Sequence, residues 1–225
     1  MNVELYGRTV VIDSPSEEAT LRWRGLMSPE PETVAWIESL PPGDVFFDIG
    51  ANVGTFAVRA ALRGLQVYAF EPEPLRCAEL RKIVRINGLE RIVHIFCVAL
   101  LDHAQVGTLG PGRSSHTFIA DGLHGPRAFA LSLDAICRGL GSWPHHLKID
   151  IDGDEPKVLD GALLALAHAW SVMIEVDPQA PRHNEIPERM AGIGFTWDPA
   201  QVEACRVREG KYAGLANYLF RRKDG

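Results

Sequence analysis

The chain has 225 residues, 46% of them hydrophobic and 23% charged, with a net charge of −6 and a pI near 5.8. This length and composition allow a substantial core, in one generous domain or one domain with an appendage, and exclude a disordered or fibrous protein. The acidic balance, with no basic stripe along any segment, argues against a nucleic-acid partner.

Residues 3–12 alternate apolar and polar and then run into "TVVI", which predicts a short hairpin or edge strand. The N-terminus carries acids and has no apolar core of a leader peptide, and no window is long and apolar enough to predict a membrane span. Ser28 and Pro29 read as the cap and first residue of a helix over 29–40, stopped by Pro41, Pro42 and Gly43. "DVFFDIG" predicts a buried strand. "TFAVRAALRG" follows as a helix with Phe56, Ala57, Ala60 and Ala61 on one face. "QVYAFEP" is the next strand, "EPLRCAELRKIVRINGLE" the next helix, stopped at Asn87-Gly88, and "RIVHIFCVAL" the third strand. This alternation predicts an α/β fold with a parallel sheet.

Residues 102–130 break the rhythm and predict a long loop or small hairpin, the kind of segment that often serves as a lid. "HLKIDIDGDE" is a fourth strand, "EPKVLDGALLALAHA" one further helix, and "SVMIEVDP" a fifth strand. "RHNEIPERMAGIG" suggests a short helix, and "FTWDP" and "NYLFRR" suggest closing strands. Arg221, Arg222 and Lys223 read as a solvated tail. Cys77, Cys97, Cys137 and Cys205 form no C-x-x-C pair, so a reducing, cytoplasmic setting is expected, with Cys97 a small buried hydrophobe.

Ligands of open α/β sheets bind beyond the carboxyl ends of the strands. Four acids fall there: Asp48, Glu71, Asp150 and Glu175. Gly50 and Gly54 let the backbone approach a ligand. Glu71, at the end of the second of these strands, sits where a carboxylate accepts ribose hydroxyls. A nucleoside-containing cofactor follows. The G-x-G-x-x-G of dinucleotide sites is absent, because Asn52 and Thr55 stand at its second and third glycine positions. A cofactor with a ribose and no pyrophosphate, such as S-adenosylmethionine, needs less of it.

At this point "FFDIGANVGTF", "VYAFEPEP", "CVALLD", "SLDAI" and "LKIDIDGDEPKVLDGA" together resemble the successive motifs of FkbM-type S-adenosylmethionine-dependent methyltransferases, over roughly residues 40–178. The sequence has Asp152 where that family usually has Glu, and an unusual Asp154. Both bear on the acceptor rather than on the cofactor. The resemblance implies a class I methyltransferase fold, a Rossmann-like and mostly parallel seven-stranded sheet with an antiparallel last strand and helices on both faces. A methyltransferase domain is expected over 41–225 with an insertion at 102–130, and an extension over 1–40 is expected to cover the acceptor side, where Trp23 and Trp36 either lie near the pocket or are plain packing residues. The resemblance implies cofactor contacts at Asp48, Gly50, Asn52, Gly54, Thr55, Glu71 and Pro72, with Ala99 and Asp102 bordering the adenine. The acceptor is then a hydroxyl on a sugar, glycan or natural-product small molecule.

Methyl transfer needs a nucleophile held about 3 Å from the methyl, and positioning of that kind contributes roughly 7–11 kcal/mol. Asp150 is expected to orient or deprotonate the acceptor, with Lys148 two residues earlier on the same side of the strand pairing with a carboxylate. His116, in "SSHTF", is a second candidate base. His145 and His146 read as loop residues. A divalent cation on Asp150 and Glu175 lacks a third ligand at a convincing spacing, so no metal is expected. A homodimer is compatible with the sequence. Two other readings stay open: a nicotinamide-dependent oxidoreductase, and a nucleoside-binding module without turnover.

Overall fold

The computed structural model describes residues 1–14, 17–25, 30–111, 116–119 and 125–223. They form two compact units, Met1–Cys97 and Val98–Gly225. The fold is a mixed α/β one with a mostly parallel seven-stranded sheet whose last strand is antiparallel.

In the first unit, β1 (Asn2–Leu5) and β2 (Arg8–Val11) form the expected hairpin. Its two-residue turn places Tyr6 at φ 53° and Gly7 at φ 72°, the left-handed pair that matches strand twist. Helices α1 (Glu17–Trp23) and α2 (Pro31–Ser39) follow. α2 begins two residues later than the sequence suggests; Ser28 and Pro29 lie outside the described residues. Trp23 and Trp36 are each 2% exposed, and Trp36 packs on Phe46 at 5.6 Å between ring centres, so both are packing residues.

The parallel strands β3 (Val45–Ile49), β4 (Gln66–Phe70) and β5 (Val93–Phe96) lie in the order β3-β4-β5. Phe46, Phe47 and Phe70 along them are buried, each contributing on the order of 1.5–3 kcal/mol. Helix α3 (Thr55–Leu62) links β3 to β4 and α4 (Pro74–Ile86) links β4 to β5. α4 starts where it does because Pro74 suits the first turn and the Glu73 carboxylate accepts from the N–H groups of Leu75 (3.1 Å) and Arg76 (2.8 Å). At its other end Asn87 terminates the helix and reaches β2: its Oδ1 accepts from the Val11 N–H (2.8 Å) and its Nδ2 donates to the Val11 carbonyl (2.9 Å).

The single strand expected over "RIVHIFCVAL" is two strands. β5 ends at Phe96, and β6 (Ala99–Leu101) belongs to another sheet in the second unit. Cys97, between them, is exposed rather than buried. Of the long loop or small hairpin expected over 102–130, the described residues show the hairpin. They carry β7 (Gln105–Pro111) and β8 (His116–Ile119), an antiparallel hairpin, and the start of β9 (Arg127–Ser132). With β6 these make a four-stranded sheet in the order β6-β9-β7-β8. Ala99, Leu101 and Ala130 form its small core, with Phe118 packed against them. Small residues and glycines hid these strands, since their cross-strand partners are close in space and weak in pattern.

α5 (Leu133–Leu140) is capped by the Ser132 hydroxyl, which accepts from the Ala135 N–H at 3.3 Å. β10 (His146–Ile149) and β11 (Ser171–Val176) are parallel, and β13 (Ala216–Arg222) runs antiparallel to β11 and to the short β12 (Phe195–Thr196). The helix expected over 155–169 is broken into α6 (Glu155–Asp160) and α7 (Leu163–His168). The break is at Gly161, where an added Cβ would lie 2.2 Å from the Leu101 carbonyl oxygen. A 3₁₀ turn at His183–Glu185 leads into α8 (Ile186–Gly192), and α9 (Pro199–Cys205) precedes β13.

Arg222 is part of β13 and not a solvated tail: its guanidinium donates to the carbonyls of Ala169, Leu166 and Ile193 and lies over Phe195. His146 is the first residue of β10, 4% exposed, with Nδ1 at 2.8 Å from the Ser171 hydroxyl. His145 stacks on Trp170.

Candidate active site

In the first unit the chain leaves β3 through a turn in which alternate residues are left-handed: Gly50 (φ 85°), Asn52 (φ 51°) and Gly54 (φ 85°). Glycine removes the steric cost of that conformation at two of the three, and asparagine tolerates it at the third. Every backbone N–H from 50 to 54 is spent inside this unit. Gly50 and Ala51 both donate to the Phe70 carbonyl (3.0 Å each), Asn52 to Glu71 Oε2 (2.9 Å), Val53 to Asn52 Oδ1 (2.8 Å) and Gly54 to the Ala51 carbonyl (2.8 Å). A pyrophosphate would need those donors. What the turn and its neighbours present instead is acceptor chemistry, suited to a ligand that brings its own hydroxyls and ammonium.

Glu71 follows β4 directly. It is 7% exposed, and its two oxygens accept from the N–H groups of Asn52 and Glu73, 2.9 Å each, leaving further lone pairs on both. Burial lifts its pKa to about 7, against the pull of those two N–H groups and of the Arg76 guanidinium. Arg76 also donates to Asn52 Oδ1 at 2.5 Å. Asp48, the penultimate residue of β3, is 1% exposed. These acceptors fit the ribose and amino-acid ends of the expected cofactor. Gly54 has a different reason to be glycine: an added Cβ would lie 2.1 Å from Leu80 Cδ1, so its bare backbone serves the packing of α3 on α4. Thr55 opens α3 half-buried, and Pro72 accepts from the exposed Cys97 thiol at 3.8 Å.

In the second unit, Lys148 on β10 is 2% exposed, and its Nζ lies 2.6 Å from Asp150 Oδ2. Ile149 pairs with Ile174, so Asp150 and Glu175 follow side by side. Asp150, Glu155 and Glu175 each bring a carboxylate oxygen within 4.8 Å of the others. Glu155 is the residue that sequence reasoning missed. Its position as a first helical acid reads as ordinary helix chemistry. Here its oxygens accept from the N–H groups of Ile151 (2.8 Å) and Gly153 (3.0 Å), and His183 Nε2 lies 3.0 Å away. Glu155 is thus the third acid beside Asp150 and Glu175 that the sequence did not offer; its oxygens are engaged by Ile151, Gly153 and His183, and one oxygen of Asp150 by Lys148. Burial, with the charges of Asp150 and Glu155 adding to it and Lys148 opposing, pushes Glu175 up to about 10, so it carries a proton at neutral pH.

Of the other expected residues, Ala99 is 5% exposed in the core of the second sheet, and Asp102 is at the surface with Oδ1 2.8 Å from His103 Nδ1. His116 opens β8, its backbone paired with Pro111; its side chain lies outside those described.

The family model described as "Methyltransferase FkbM domain" matches residues 48–196. The 31-O-demethyl-FK506 methyltransferase FkbM of Streptomyces tacrolimicus is 54% identical over 44 residues, 19% of this chain and 17% of that protein. A tRNA (guanine(37)-N(1))-methyltransferase of Leishmania major is 38% identical over 61 residues, 27% of this chain and 9% of that protein. The chain thus spans less than a fifth of the length of either relative in these matches. Among solved structures, the magnesium protoporphyrin IX methyltransferase of Synechocystis PCC 6803, with bound SAM, superposes with a TM-score of 0.56 at 11% identity, over 94% of this chain and 86% of that one. At that identity the likeness is one of fold, the class I methyltransferase fold.

Proposed function

The chain belongs to the FkbM methyltransferase family, and on that premise we propose that it methylates a hydroxyl of a sugar, glycan or natural-product small molecule. It is an S-adenosylmethionine-dependent methyltransferase domain, and the nicotinamide reading has no support in that family. When bound, S-adenosylmethionine supplies an electrophilic methyl group.

The observation that carries the hydroxyl reading is the Lys148–Asp150 pair. A buried ammonium 2.6 Å from the carboxylate fixes one Asp150 oxygen and leaves the other to receive or orient an acceptor proton. Glu175, protonated at neutral pH, can donate a hydrogen bond to the acceptor oxygen. In the first unit Glu71 and Asn52 hold the cofactor's nucleoside, with Asp48 at its amino-acid end, and Gly50 and Gly54 keep the turn in its left-handed form.

The test is transfer of labelled methyl from S-adenosylmethionine to a panel of hydroxylated sugars and polyketides, with tRNA transcripts alongside because one relative is a tRNA methyltransferase. Label on a hydroxyl, lost in Asp150→Asn, is the expected result. Label on tRNA would overturn the hydroxyl reading and leave the cofactor standing.

A further inference from the structure

The turn that follows Asp150 is strained. Asp152 is left-handed at φ 64° and Gly153 sits at φ 129°. A non-glycine residue in that region is strained and persists only where its surroundings enforce it. Two buried side chains do so here. Glu155, 0% exposed, accepts from the N–H groups of Ile151 and Gly153 on either side of Asp152. His183, 1% exposed, comes from the segment after β11, 30 residues beyond Gly153.

The hydrogen bonds of His183 fix its tautomer. The Asp177 N–H donates to Nδ1 at 3.0 Å, so Nδ1 is an acceptor and carries no proton. Nε2 therefore holds the proton and donates it toward the Gly153 carbonyl (3.1 Å) and Glu155 Oε2 (3.0 Å). One ring thus spans the end of β11, at Asp177, and the turn after β10. Lone acids at strand ends explain none of this; it needs an imidazole with an acceptor on one side and a donor on the other.

We infer that His183 is a positioning residue, which through Glu155 holds the strained turn at 151–154 and so sets the direction of the Asp150 carboxylate. The inference gives a purpose to the Asp150 role proposed above, yet its test needs no acceptor. If it fails, the methyl-transfer reading is untouched, and if Asp150 proves dispensable, the clamp still stands or falls by its own measurement.

The two halves of the imidazole can be removed separately. In His183→Gln the terminal amide replaces Nε2 and keeps the donor to Glu155, while the acceptor for Asp177 is lost. In His183→Asn the amide oxygen replaces Nδ1 and keeps Asp177 satisfied, while the link to Glu155 is lost. Amide hydrogen exchange of the whole chain should show a crossed pattern. His183→Asn should speed exchange at Ile151 and Gly153 by at least ~10-fold and spare Asp177. His183→Gln should do the reverse. The nitrogen-15 spectrum of the parent at pH 7 should show an unprotonated Nδ1 and a protonated Nε2, a signature that stands even if one variant fails to fold. Unchanged exchange at Ile151 and Gly153 in His183→Asn, equal acceleration in both variants, or a proton on Nδ1 would overturn the inference.

Discussion

The backbone N–H of Asn52 donates to Glu71 Oε2 at 2.9 Å, so the turn after β3 and the carboxylate after β4 are one hydrogen-bonded unit. Removing the carboxylate therefore strips the proposed ribose acceptor and loosens the turn together. Glu71→Ala should weaken S-adenosylhomocysteine binding by roughly 2–4 kcal/mol, the loss expected for one or two hydrogen bonds to a charged group. Calorimetric titration checks it. An unchanged affinity would show that the cofactor does not use this carboxylate.

The proton on Glu71 makes the same site pH-sensitive. Burial raises its pKa in the fold to about 7 from the ordinary 4.5. The folded chain holds this proton more firmly than the unfolded one, so Glu71's contribution to stability is fully present below pH 4.5 and is lost as pH rises through about 7. A ligand hydroxyl that donates to Glu71 favours the charged form. Cofactor binding should then tighten as pH rises toward 7 and release a proton, read by calorimetry in buffers of different ionisation enthalpy. Glu71→Gln should abolish that proton release.

Asp150 and Glu175 are neighbours with opposite expectations. Asp150→Asn should lower turnover about 10²–10⁴-fold, the usual worth of a positioned base, with S-adenosylhomocysteine affinity nearly unchanged. Glu175 is already neutral at pH 7, so Glu175→Gln should keep most of the turnover and melt no lower than the parent chain. Steady-state kinetics and thermal melts distinguish the two. A collapse of cofactor binding in Asp150→Asn would make Asp150 a cofactor or structural residue.

Gly54 fails differently from the polar residues. An alanine there meets Leu80 Cδ1 at 2.1 Å and must hold φ near 85°. Gly54→Ala should destabilise the chain by about 2–4 kcal/mol, from overpacking and backbone strain together. Adding Leu80→Ala should recover the overpacking part only, which denaturant titration can resolve.

Legibility followed the periodicity of the local signal. Asp48, Glu71, Asp150 and Glu175 were readable because each ends an apolar run, and the Lys148–Asp150 pair because a strand repeats every two residues. The second sheet was not, because β7 and β9 leave Val106 and Phe129 exposed and bury small residues such as Ala128 and Ala130. The need for glycine at 161 was invisible because the Leu101 carbonyl that leaves no room for a Cβ lies 60 residues away in sequence. Glu155 was missed and Arg222 misread largely because most of their partners are backbone groups, which a sequence does not show.

Asn87 presents Val11 with an acceptor and a donor in the arrangement of a neighbouring peptide unit. The edge of the N-terminal hairpin is thereby closed by a counterfeit strand one side chain long. A real sheet would share the Val11 amide among many bonds that open together. Here a single residue at the end of α4 guards it, so its deuterium uptake is a gauge of how often that helix end frays.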